Sequence, residues 1–344
     1  MIPHLDRRVS VTSQLDLVRR TGDTGRDMPI LPATDETIAH AAAALTAGEI
    51  VAFPTETVYG LGADARDSNA VATIFAATER PRFNPLIVHV PDFATAETHA
   101  VVGAEARALA DAFWPGPLSI VGPKRPDSEL ADLVTAGLDT VALRVPGHPV
   151  AQALLETAKL PIAAPSANRS GRISPTKAAH VASELGEVPA MILDGGPCTR
   201  GLESTVVSVV AGPHPTLLRL GAVPRGEIEA VLGYPIALAG EDAPIASPGQ
   251  LERHYAPQTP LRLNATTVES GEALLGLGPD TPNCAGMTIN LSTSGDLNEA
   301  ATHLFAALRT LDESGARGIA VVPIPDKGLG EAINDRLRRA AKAR

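Results

Sequence analysis

The chain has 344 residues, 44% of them hydrophobic but only 3% aromatic, so it carries enough apolar mass for two domains with aliphatic cores. Its 29 Lys and Arg against 39 Asp and Glu give a formal charge of −10, which argues against a protein that lives bound to nucleic acid. Two distant cysteines exclude a disulfide framework and suggest a reducing, cytoplasmic setting; no apolar run is long enough to span a membrane, and residues 1–27 lack a secretory signal.

Residues 1–27 are polar and aperiodic, and read as a disordered extension ahead of Met28 or as a stretch preceding the true start there. A helix is expected from about Asp35 to Ala47, stopped by Gly48. Strands and helices then alternate. EIVAFPT (49–55) reads as a strand, NAVATIFAAT (69–78) as a helix, PLIVHV (85–90) as a strand and AEARALADAF (104–113) as a helix. TVALRV (140–145) is a strand, HPVAQALLETA (148–158) a helix and PIAAP (161–165) a strand, followed by the strands AMILDGG (190–196) and STVVSVV (204–210). The pattern predicts a mixed α/β domain over 28–233. Residues 234–262 are rich in Pro, Ala and Gly and read as a linker, but SPGQLERHYAP (247–257) holds an Arg-His-Tyr cluster that a spacer does not need. Residues 263–344 read as a compact βαβα unit: a strand at 286–292, a helix at 296–315, a strand at 318–324 and a final helix at 330–343. Leu297, Ala301, Leu304, Leu308 and Leu311 share one face of the first helix, and the strands it joins should be parallel. The basic end, Arg336 to Arg344, reads as charge complementing a helix dipole.

No Walker A loop, Rossmann glycine fingerprint, HExxH, zinc-type Cys/His set or spaced Ser-His-Asp triad is present. Polar clusters instead follow the apolar runs. PTETVYGLG (54–62) alternates Thr55, Thr57 and Tyr59, which share a face in extended chain. RPRFNPLIVH (80–89) offers Arg80 and Asn84, with His89 in an apolar strand where a histidine is ordinarily a satisfied core residue. Arg144 also lies inside an apolar strand, with Thr140 four residues earlier on the same face; a buried guanidinium needs either a protein carboxylate or an anionic ligand. APSANRSGRISPT (164–176) offers Ser166, Asn168, Ser170 and Ser174 in a turn-rich loop suited to phosphate oxygens, or to an ordinary surface loop. Glu203, Ser204 and Thr205 open a strand, and Arg219 ends another. Polar clusters at the strand ends of one sheet mark the crevice where open α/β sheets bind ligands.

In order and spacing these clusters resemble the YrdC-like threonylcarbamoyl-AMP synthases in their long, two-domain form, from about residue 35 to residue 344 and including the SPG…HYAP linker and the GLGEAINDRL stretch. The resemblance implies an α/β fold: a twisted, mixed open-sheet YrdC-like domain, a linker that closes over the site, and a smaller Rossmann-like βαβ C-terminal domain. It implies a nucleotidyltransferase that condenses L-threonine, bicarbonate and ATP, with Mg²⁺, to threonylcarbamoyl-AMP and pyrophosphate. The product serves tRNA indirectly, through a downstream transferase. Carried over by position, it suggests Thr57, His89, Arg144, Ser204 and the Ala164 backbone around threonine. It suggests Arg80, Asn84, Thr140, Ser166, Ser174 and Arg219 around ATP, with Tyr255 closing over the nucleotide. It assigns no general acid or base and leaves any metal ligand unassigned. The chain departs from the family's K-x-R-P at Thr78-Glu79-Arg80-Pro81. Losing a preorganised cation beside the phosphates weakens transition-state stabilisation by several kcal/mol. Three consequences stand open: Arg82 or another cation substitutes; the rate falls; or the chain is a degenerate paralogue that binds RNA or regulates without turnover. A related carbamoyl-adenylate enzyme with another acceptor is a further alternative.

Overall fold

A computed structural model describes residues 30–210, 214–240, 254–282 and 286–342. The expected extension over 1–27, Met28, residues 247–253 of the linker motif and Cys284 lie outside the described residues.

Local chemistry sets the helices. Thr34 caps the helix Asp35–Thr46 by a reciprocal box with Thr37, and Asp67 and Asp296 cap Ser68–Ala77 and Leu297–Asp312 through their carboxylates. Pro149 opens Pro149–Ala158, where its missing N–H costs nothing. Helices at Phe93–Glu97, Ala178–Leu185 and Arg225–Leu232 are short and escape the periodicity.

The first sheet has eleven strands: β1 Ile30–Pro32, β2 Val51–Phe53, β3 Gly60–Asp64, β4 Ile87–His89, β5 Leu118–Pro123, β6 Thr140–Arg144, β7 Ile162–Ala163, β8 Met191–Asp194, β9 Thr205–Ser208, β10 Thr216–Arg219 and β11 Ala237–Leu238. Their order is β1-β8-β2-β3-β7-β4-β6-β5-β9-β10-β11. Pairing is mixed, with β4 parallel to β6 and β5 parallel to β9, but β3 antiparallel to both β2 and β7. The sequence signals neither β3 nor β5. In β3 the reason is packing: a Cβ on Gly62 would stand 2.8 Å from both Ile162 and Phe53, so a residue type that reads as a turn is required inside a strand.

The second sheet holds β12 Leu261–Arg262, β13 Glu272–Gly276, β14 Thr288–Asn290 and β15 Gly318–Val321, all parallel in the order β12-β15-β13-β14. β14 and β15 run parallel as expected, but β13 lies between them. The stretch 234–262 contributes β11 to the first sheet and β12 to the second. Helix Leu297–Asp312 buries Ala301, Leu304, Leu308 and Leu311 as its pattern requires, while Leu297 stays at the rim.

One apolar cluster runs continuously from Leu118, Val207 and Leu217 of the first sheet to Leu304, Phe305 and Leu308 beside the second. The two units meet closely at Gly201, whose φ is +68° and where a Cβ would come within 2.5 Å of the Ala301 carbonyl. Gly201→Ala therefore loses more than ~1 kcal/mol of stability in urea unfolding. Gly137→Ala, at φ +78° with open space around it, isolates the backbone contribution and costs less. Equal losses would show that the helix contact contributes nothing.

Candidate active site

The strand ends of the first sheet converge on a cavity of about 50 Å³, room for about four waters at ~10–15 Å³ apiece. All five residues expected around threonine line it: Thr57 after β2, His89 ending β4, Arg144 ending β6, Ala164 after β7, and Ser204 before β9. Of those expected around ATP, Arg80, Ser166, Arg219 and Tyr255 line it, while Asn84, Thr140 and Ser174 do not. Thr140 sits at the far end of β6, paired with Pro123 of β5 and only partly buried. Ser174 stands one layer back, its hydroxyl donating to Glu203 at 2.5 Å. Asn84 is fully buried beside Arg80, and neither of its side-chain polar atoms has a partner among the described residues.

The single face expected for Thr55, Thr57 and Tyr59 does not form, because the chain turns there. Thr55 Oγ1 donates back to the Val58 carbonyl at 2.7 Å and bonds Thr57 Oγ1 at 2.8 Å. Tyr59 leaves the site and donates to the Gly196 carbonyl at 2.8 Å.

Arg144 meets a protein carboxylate that sequence reasoning missed. Its Nη2 donates to Glu56 Oε1 at 2.5 Å and its Nε to the Gly116 carbonyl at 3.2 Å, while Glu56 Oε2 accepts the Gly147 N–H at 2.9 Å. Eighty-eight residues separate the pair, so no local spacing announces it. Ser204 is fixed from two sides. Its hydroxyl shares a 2.8 Å hydrogen bond with Ser119 and accepts from Arg219 Nη2 at 3.0 Å, while its carbonyl accepts from Arg219 at 2.8 Å.

The pocket is cationic. Arg80 donates to the Asn84 and Pro85 carbonyls at 3.1 Å each, and burial, then Arg219, pulls it down to about 9. Burial and nearby Arg144 hold His89 at about 3, so its imidazole is neutral. His254 is likewise held at about 3 by burial. His89 Nδ1, His254 Nδ1 and the Tyr255 hydroxyl are buried without a partner among the described residues. Each such atom costs about 1–3 kcal/mol, and several around one cavity are the signature of a site shaped for a polar, anionic ligand. Glu203 also lines it. Burial pushes its carboxyl up, but Arg336, Arg219 and the Ser174 hydroxyl outweigh that, and the net shift is down.

The substitution at Thr78 is quiet. Thr78 is buried at a helix end, its hydroxyl donating to the Ile74 carbonyl at 2.7 Å. Neither Thr78 nor the exposed Arg82 lines the cavity, whose cations are Arg80, Arg144 and Arg219. Arg336, expected as a helix-end charge, is fully buried behind Glu203. Among the described residues no group of three or more His, Cys, Asp or Glu side chains is placed to hold a metal ion.

A family model described as "Telomere recombination" matches residues 43–221, and one described as "Threonylcarbamoyl-AMP synthase, C-terminal domain" matches residues 223–342. The threonylcarbamoyl-AMP synthase of Bacillus subtilis is 43% identical over 91% of this chain and 95% of its own length. That of Pyrococcus abyssi is 42% identical over 88% and 93%. The crystal structure of Pyrococcus abyssi Sua5 complexed with L-threonine superposes with a TM-score of 0.80 at 38% identity, covering 90% of this chain and 95% of that one. By its cavity-forming strand ends, its two matched segments and these relatives, the chain belongs to the threonylcarbamoyl-AMP synthase family.

Proposed function

We propose that this protein is an L-threonylcarbamoyladenylate synthase, joining L-threonine, bicarbonate and ATP into threonylcarbamoyl-AMP with release of pyrophosphate. The observation that carries the reading is one small cavity lined by Arg144, neutral His89 and the fixed Ser204 hydroxyl together with Arg80 and Arg219. Arg144, steadied by Glu56, receives the threonine carboxylate. His89, uncharged and with an Nδ1 that has no partner among the described residues, offers a hydrogen bond without repelling the amine. Bicarbonate takes up a proton and loses water to give carbon dioxide; the neutral threonine amine attacks its carbon and releases a proton, giving a carbamate, so that this stage yields one water overall. A carbamate oxygen then bonds to the α-phosphorus as the bond to pyrophosphate breaks. Arg80 and Arg219 stabilise the charge that gathers on the phosphates.

About 50 Å³ does not hold a nucleoside triphosphate, so His254 and Tyr255 move aside for ATP and return over the product. Their return keeps water from a labile mixed anhydride. In this reading residues 28–233 carry the chemistry, 234–262 close over it and 263–344 support the closure. Glu56 and Glu203 are already engaged by Arg144 and Arg336, so a Mg²⁺ accompanying ATP would be held by the phosphates and would neutralise part of their charge. No described helix is long and apolar enough to cross a membrane, and we place the protein in the cytoplasm, feeding tRNA modification through a partner enzyme.

Pyrophosphate release by the native chain and by Thr78→Lys tests the reading. We expect release from the native chain that requires both threonine and bicarbonate, and no more than a modest gain from the lysine. Release restored only by Thr78→Lys would make the native chain a lapsed enzyme. Release that follows carbamoyl phosphate or another amino acid would reassign the acceptor. Salt-sensitive RNA binding without turnover would favour the binding-module alternative.

A further inference from the structure

The final helix, Leu329–Ala341, carries Arg336, the largest fully buried side chain among the described residues. Its Nε donates to Glu203 Oε2 at 2.9 Å, its Nη2 to the Leu220 carbonyl at 2.8 Å and its Nη1 to Asp335 Oδ2 at 2.7 Å. Its Cζ lies 4.8 Å from the centre of the Tyr255 ring, which stacks on Phe305 with centroids 5.5 Å apart. Glu203 directly precedes Ser204, and Leu220 directly follows Arg219. One guanidinium from the second unit thus holds three segments that build the cavity of the first.

Stability alone does not account for this arrangement. A buried ion pair is often matched or bettered by well-packed apolar residues of similar volume, because desolvation offsets the attraction. A flat fork that can bond two chains while standing over a ring is a property of arginine that lysine and methionine lack. We propose that Arg336 is a positioning residue of the active site: it seats Tyr255 over the cavity and fixes the Ser204 and Arg219 strand ends, without touching substrate. The catalytic part of the proposal rests on the synthase reading above.

Arg336→Lys keeps the charge and removes the fork. The first readout needs no activity. The Ala256 N–H, which donates to the Gly171 carbonyl at 2.9 Å, reports the seating of Tyr255 by hydrogen exchange. We expect the segment holding Tyr255 and Ala256 to exchange at least tenfold faster, with β13 unchanged. The second readout is kinetic, below the unfolding midpoint. We expect kcat to fall about tenfold and the KM for threonine to rise no more than about threefold, because of the threonine-side residues only Ser204 depends on Arg336, while Thr57, His89, Arg144 and Ala164 keep their places. We expect the double variant with Tyr255→Leu to lose less than the product of the two single losses. Unchanged exchange, a lower unfolding midpoint with unchanged kinetics, or losses that multiply would each overturn the proposal. If Arg336→Lys does not fold, Arg336→Met/Glu203→Gln removes both charges at once. It should then be slower than Glu203→Gln alone, and equal rates would count against the proposal. A native chain without threonine-dependent release would sink the synthase reading and leave the exchange result to decide the seating role.

Discussion

Arg144→Gln abolishes threonine-dependent turnover and destabilises the fold by about 3–5 kcal/mol, the usual consequence of leaving one member of a buried ion pair unmatched. Glu56 is the group left behind. It is 8% exposed, and after the substitution its Oε1 faces the interior with only the Gly147 N–H still bound to its other oxygen. The Gly116 carbonyl loses a donor as well. Adding Glu56→Gln to Arg144→Gln removes the stranded charge and recovers most of the stability. It recovers no activity, because the cation that would receive the threonine carboxylate stays absent. Denaturant unfolding and threonine titration of the two variants separate the effects. A double variant that binds threonine normally would show that Arg144 is only a structural partner of Glu56.

Arg80→Met behaves in the opposite way. Turnover falls by about 10²–10³-fold, the scale of removing one preorganised donor from a developing charge. Stability changes by less than ~1 kcal/mol. The substitution gives up hydrogen bonds to the Asn84 and Pro85 carbonyls but removes a desolvated cation that Arg219 repels. A group that strains the folded state and serves the reaction belongs to the active site rather than to the scaffold. A large loss of stability with little loss of rate would reverse that assignment.

The contrast between the two arginines also marks what a sequence discloses. Both were legible as candidates, since a cation beside or inside an apolar strand calls for a partner. Their different partners were not. Glu56 lies 88 residues from Arg144, so that pairing follows from the strand order and not from spacing, whereas Arg80 donates to carbonyls four and five residues on. Continuous apolar runs and capped, periodic segments gave most elements and the α/β class. β3 was hidden because Gly60 and Gly62, which normally mark turns, are there to let Phe53 and Ile162 approach. Thr140 shares a face with Arg144 but stands at the other end of β6, and a shared face says nothing about which end of a strand meets the cavity. The five threonine-side candidates line one cavity because each lies at or beside a strand end and the sheet gathers those ends together.

The central claim is the product itself. Incubating the native chain with ¹³C-bicarbonate, L-threonine, ATP and Mg²⁺ and weighing the adenylates by mass spectrometry tests it most directly. The account predicts a threonine-dependent adenylate that carries the label in its carbamoyl carbon, formed in step with pyrophosphate. Unlabelled AMP and pyrophosphate alone, or a labelled adenylate that forms equally well without threonine, would contradict it.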